Sequence, residues 1–154
     1  IPLDEHDDLI LAYNRRLFSG DVTMETRAAR AWAGWENALA SIQNTGAVAE
    51  SPSEYARAVS RLENHYFING GFLERDGQIL QEMPSIAHIP GTIVQGRYDM
   101  ICPPVSAARL HDRWPRSRWK MIPHAGHALS EPGISAELIR VTNSLRQRPE
   151  MLGL

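Results

Sequence analysis

Asp99 and His127 are two side chains suited to acid–base chemistry. Asp99 lies in Gly96-Arg97-Tyr98-Asp99-Met100-Ile101-Cys102-Pro103, and His127 in Pro123-His124-Ala125-Gly126-His127-Ala128. An imidazole can take a proton from a hydroxyl and return it to a leaving group. A carboxylate behind it fixes the tautomer and stabilises the imidazolium. In open α/β sheets such groups sit at the carboxyl ends of strands. An Asp after one strand and a Gly-His after the next follow the later half of a Ser…Asp…His order. Taken alone, Asp99 serves equally well as a cap or turn residue, and a single Gly-His is a weaker signal still. Their separation by one helix and one strand favours a catalytic pair. His124 and His127 are also spaced like metal ligands, but their Gly-containing loop offers no third ligand, so no metal is expected. No G-x-S-x-G occurs in the chain, which leaves the pair without a recognisable nucleophile to activate.

The secondary structure around these loops follows from the neighbouring residues. Thr92-Ile93-Val94-Gln95 reads as a strand, and Pro103-Pro104 opens a helix over 105–113. A second strand spans 118–122, and Pro132-Gly133 precedes a helix over 134–146. Strand, helix, strand, helix is the βαβα signature of a parallel sheet. The helix over 105–113 is then the crossover, and both loops leave the same end of the pair. Two strands do not make a stable sheet alone, so most of the sheet is expected to lie elsewhere. Residues 4–82 have a helical texture instead. Leu9, Ala12, Tyr13, Arg16 and Leu17 recur at helical spacing, and Gly20 closes that run. Asp21 or Thr23 can cap the next helix, with Glu25 in its first turn. An amphipathic row follows through Ala28, Ala31, Trp32, Trp35, Ala38, Leu39 and Ile42. A third helix starts at Ser51-Pro52-Ser53-Glu54 and carries Tyr55, Ala58, Val59, Leu62, His65 and Tyr66. Asn69-Gly70-Gly71 stops it.

Composition narrows the function classes. The 154 residues are 43% hydrophobic and 22% charged, as in ordinary globular proteins. A net charge of −2 supplies no basic field for nucleic acid. The single cysteine, Cys102, needs no oxidising compartment, and a cytoplasmic location is expected. No apolar run approaches the roughly 20 residues of a membrane span. The opening residues lack both an initiator Met and the pattern of a signal peptide, which fits a fragment or a processed chain.

Four stretches carry a family resemblance. GRYDMICPP and PHAGHALSEPG, with AWAGWE at Ala31–Glu36 and RLENHYF at Arg61–Phe67, resemble the C-terminal region of proline iminopeptidases, a family of α/β-hydrolases. The likeness runs over nearly the whole chain. It implies an α/β fold, the C-terminal part of an α/β-hydrolase. Residues 1–85 would form a helical cap and residues 86–154 the last βαβα of the core. It implies that Asp99 is the triad acid and His127 the triad base. It also implies that Glu36 and Glu63 hold the free N-terminal amine of the substrate. A charged secondary amine is costly to desolvate unless it is paired, and two carboxylates would pair it while blocking longer N-terminal extensions. Cys102 would lie near the pocket without being a nucleophile, or serve as a small buried hydrophobe. Trp35 and Tyr66, with Trp32 and Phe67, would line a proline-sized pocket or form cap core. The implied partners are peptides with N-terminal proline and the N-terminal half of the hydrolase fold, which would bring the Ser elbow. No metal or organic cofactor is implied, and this chain alone is expected to be inactive. Another α/β-hydrolase such as an epoxide hydrolase or esterase, or a non-catalytic binding fragment, are the alternatives.

Overall fold

A computed structural model describes residues 1–42 and 52–147. The described residues fall into two compact units, one of 1–38 and 52–74 and one of 39–42 and 75–147.

The first unit is helical. A 3-10 turn over Leu3–Asp8 leads into α1 (Leu9–Leu17), whose start is capped by Asp8 accepting from the Leu11 N–H at 2.9 Å. α2 spans Val22–Ala40. Asp21 caps it, its Oδ1 accepting from the N–H groups of Thr23 and Met24. The helix thus begins earlier than the apolar row at Ala28, and Ile42 lies in a turn beyond its end. α3 (Ser53–Ile68) begins just after Pro52 and ends at Asn69. Ser51, expected to start it, lies outside the described residues.

The core of this unit joins Leu17 of α1 to Ala28, Ala29, Trp32 and Ala33 of α2 and Ala56 of α3. The buried row of α3 is Ala56, Ser60 and Asn64, not the row of large residues that marked the helix in the sequence. Tyr55, Leu62 and Tyr66 are exposed. The physical reason is close packing of α1 on α3 through small residues, with the polar groups of Ser60 and Asn64 answered. Ser60 donates to the Ala56 carbonyl at 2.6 Å. Asn64 donates to the Ile10 carbonyl at 2.9 Å and accepts from the Asn14 amide at 2.7 Å. Glu25, in the first turn of α2, is also buried. The Gly20 N–H holds its carboxyl below the usual value of 4.5, against the opposing effect of burial and with the help of the Arg57 and Arg61 guanidinium groups.

The second unit carries the sheet. α4 spans Gln78–Glu82, β1 Gly91–Gly96, α5 Pro104–Asp112, β2 Ser117–Ile122 and α6 Pro132–Gln147. β1 and β2 are parallel and adjacent, paired from Gly91 with Ser117 to Gly96 with Ile122. α5 is their crossover, as the pattern of the sequence predicts. Close approach explains three glycines. A β-carbon on Gly91 would lie 2.3 Å from the Trp114 ring, and one on Gly133 would lie 2.6 Å from a methyl of Ile122. One on Gly96 would lie 2.0 Å from the Gly126 carbonyl oxygen. Only Gln95 among the β1 and β2 side chains is fully buried. Among the described residues, no helix is long and apolar enough to cross a membrane.

Candidate active site

The parallel register delivers both loops to the carboxyl end of the strand pair. The missing side chain at Gly96 lets the two loop backbones touch. Arg97 donates its N–H to the Ile122 carbonyl and Tyr98 to the Ala125 carbonyl, each at 3.0 Å. Asp99 follows at once, buried to 7% exposure. Its Oδ2 lies 3.1 Å from Nδ1 of His127, whose side chain is 40% exposed. A base that must meet a substrate needs such access, and its orienting acid does not.

The carboxylate of Asp99 is held on both oxygens. Oδ1 accepts from the N–H groups of Ile101 at 3.0 Å and Cys102 at 2.7 Å, while the Gln95 amide donates to Oδ2 at 3.2 Å. The same Gln95 nitrogen lies 3.2 Å from the carbonyl oxygens of Gly96 and Cys102, closing the loop around the acid. With Nδ1 turned to Asp99, Nε2 is the ring nitrogen left for a reacting proton. Such an arrangement can serve as a general base with an orienting acid.

His127 is anchored through its backbone. Its N–H and that of Ala128 both donate to the Ala40 carbonyl at 2.8 Å. Four residues on, Glu131 is buried at 2% exposure. Its Oε1 accepts from the Ser41 hydroxyl at 2.8 Å, the Ile42 N–H at 2.9 Å and the Gly126 N–H at 3.3 Å. Burial pushes the Glu131 carboxyl up, but these three hydrogen bonds outweigh it and hold the group below 4.5.

Gln95 and Glu131 both escaped the sequence reading. Gln95 looks like an ordinary strand residue. Glu131 is marked only by following the Gly-His loop and preceding Pro132; its Ser41 partner is distant in sequence.

In the first unit, Ile10, Tyr13, Trp32, Trp35, Glu36 and Phe67 line a cleft of about 490 Å³. Glu36 and Glu63 are both half-buried. Glu63 Oε2 accepts from the Trp32 indole N–H at 2.7 Å. Trp32 is core and also cleft wall, with Tyr13 edge-on at 5.3 Å and Phe67 at 5.9 Å between ring centroids. Trp35 is 67% exposed. Tyr66 does not line the cleft and packs against His65 and Phe72. Cys102 is exposed, and the Asp99 loop uses its backbone. His124 is exposed. Among the described residues, no group of three or more His, Cys, Asp or Glu could hold a metal ion.

No family model matches the chain. Curated relatives are clear. The chain is 46% identical over 149 residues to a "Probable proline iminopeptidase" of Leptolyngbya boryana, a match covering 93% of the chain and 45% of that protein. It is 45% identical over 147 residues to a proline iminopeptidase of Xylella fastidiosa, covering 94% and 47%. It is 42% identical over 149 residues to a proline iminopeptidase of Arabidopsis thaliana, covering 95% and 39%. By sequence, then, the chain is similar over nearly all of its own length to proline iminopeptidases, and it spans less than half the length of these curated relatives.

Proposed function

We propose that this chain is the C-terminal portion of a serine aminopeptidase of α/β-hydrolase fold that releases N-terminal proline from peptides. The observation that carries the reading is the Asp99–His127 hydrogen bond at the carboxyl end of a parallel strand pair. The names of the relatives supply the substrate class. In this reading residues 1–85 are the helical cap and residues 86–154 the end of the hydrolase core. Strands from the rest of the protein cover the sparsely buried sheet, and the protein works in the cytoplasm.

The chemistry follows from the side chains. A Ser hydroxyl from the rest of the protein attacks the carbonyl carbon of the proline residue. His127 Nε2 takes the hydroxyl proton, and Asp99 keeps Nδ1 protonated and the ring in place. The proton then passes to the departing amine as the C–N bond breaks, leaving a prolyl ester on the Ser. Water, deprotonated by His127, hydrolyses that ester and frees the proline. Glu36 and Glu63 pair with the ring ammonium. Trp32, Trp35 and Phe67 enclose the apolar pyrrolidine. The Trp32 indole N–H occupies one Glu63 oxygen and fixes that carboxylate against a residue of the cleft wall. Neither carboxylate has a use in an esterase or epoxide hydrolase acting on an uncharged substrate. The test is hydrolysis of a proline anilide by the full-length protein. Activity that requires a free imino group supports the aminopeptidase, and equal activity on the N-acetylated anilide removes it.

A further inference from the structure

Glu131 is a fully buried carboxylate outside the Asp99–His127 pair, four residues after the histidine, in the turn that opens α6. All three of its donors meet on Oε1, and they come from both sides of one junction. Gly126 is the residue before His127, while Ser41 and Ile42 follow the end of α2. The junction has no slack: a β-carbon on Gly126 would lie 3.0 Å from the Ala40 carbonyl oxygen and 3.4 Å from Glu131 Oε1. Together with the two N–H groups of His127 and Ala128 on the Ala40 carbonyl, this ties three successive peptide groups of the loop to the Ala40–Ile42 segment. The imidazole is half-exposed, and its direction depends on that backbone as well as on its contact with Asp99.

We infer that Glu131 is a positioning residue for His127: its buried carboxylate locks the Gly126–Ala128 backbone to Ser41 and Ile42, and so holds the imidazole against Asp99. The inference rests on the reading of Asp99 and His127 as an acid–base pair. Because one oxygen takes every hydrogen bond and Oε2 has no partner among the described residues, an amide can stand in for the carboxylate. A glutamine keeps the acceptor, loses the charge and puts an NH2 group where Oε2 stands.

The test uses the full-length enzyme and a proline anilide. Glu131→Ala should lower kcat by about 10- to 100-fold with KM within about threefold, because small displacements of a reacting group cost rate rather than binding. Glu131→Gln should stay within about fivefold of wild type. The low-field proton resonance of His127 Nδ1–H against Asp99 should persist in wild type and Glu131→Gln and broaden or vanish in Glu131→Ala. Should Glu131→Ala fail to fold, Ser41→Ala decides. It removes one donor of three and should lower kcat by about two- to fivefold. Unchanged kcat in whichever variant decides, a loss confined to KM, or an unaltered resonance in Glu131→Ala would overturn the inference. His127→Ala separates the two levels. If that variant is fully active, the acid–base reading fails. If it is inactive while Glu131→Ala is not, only the role of Glu131 fails.

Discussion

Gly96, the last residue of β1, lies so close to Gly126 that a β-carbon on it would stand 2.0 Å from the Gly126 carbonyl oxygen. Backbone, rather than a flexible side chain, fills that space, so nothing can swing aside. Gly96→Ala should force the Asp99 and His127 loops apart. Overpacking of this kind costs about 1–3 kcal/mol of stability, occasionally more. The expected outcome is a lowered denaturation midpoint together with loss of activity in the full-length protein. A variant of wild-type stability would mean that the two loops do not approach as described.

Asp99→Asn tests the orienting acid. The four donors around Asp99 favour a carboxylate, and an amide would present N–H to one of them or to His127 Nδ1. The imidazole would then be held in the wrong tautomer. Loss of this orientation in a Ser-His-Asp triad costs on the order of 10⁴ in kcat. Steady-state kinetics of the full-length variant on a proline anilide should show that fall with KM little changed.

Glu36→Gln and Glu63→Gln test the amine site. Each keeps nearly the same volume and removes one charge. Breaking a buried ion pair costs about 3–5 kcal/mol and a solvated one at most about 1 kcal/mol. Both carboxylates are half-buried, which points to an intermediate loss of about 2–3 kcal/mol, or about 30- to 150-fold in kcat/KM. A simple ester without an amine should be hydrolysed almost as before. If both variants keep wild-type kcat/KM on the proline substrate, neither glutamate binds the amine.

Acid stability should report Glu25 and Glu131. Both carboxyls are held below 4.5 in the folded chain. A hydrogen bond from the Gly20 N–H and the charges of the Arg57 and Arg61 guanidinium groups act at Glu25, and hydrogen bonds from Ser41, Ile42 and Gly126 act at Glu131. A folded value below the unfolded one means that their contribution is present above about 4.5 and is lost as pH falls through the folded value. Urea midpoints measured downward from pH 5 should therefore fall more steeply in wild type than in Glu131→Gln, which has no proton to take up. Identical slopes would show that Glu131 does not titrate with unfolding.

How far the sequence could be read differs between the two units. The βαβα run was legible because each boundary has a local cause. The β-branched Thr92-Ile93-Val94 run, Pro103-Pro104 and Pro132-Gly133 sit where the elements begin. Parallel pairing then brings Asp99 and His127 to one end without further information. The buried face of α3 was not legible, because periodicity is dominated by large side chains, whereas packing against α1 selects Ala56, Ser60 and Asn64. Glu25 read only as an acid in the first turn of its helix, yet it is a buried ion-pair partner of Arg57. Glu131 depends on Ser41, 90 residues earlier, and no local pattern announces a contact of that range. Tyr66 shows the converse: it sits inside the specific ENHYF motif, but its ring turns to Phe72 rather than into the cleft.

The 154-residue chain by itself should not turn over a proline anilide, since no G-x-S-x-G nucleophile occurs in it. Turnover that stays with the homogeneous chain and disappears in His127→Ala would require a nucleophile of another kind.

His127, oriented by Asp99, is proposed as the base of a proline-releasing peptidase. Its most direct test is kcat/KM for a proline anilide in the full-length protein, wild type against His127→Ala, at equal folded fraction. A fall of several orders of magnitude is expected. Turnover by His127→Ala within tenfold of wild type would contradict it.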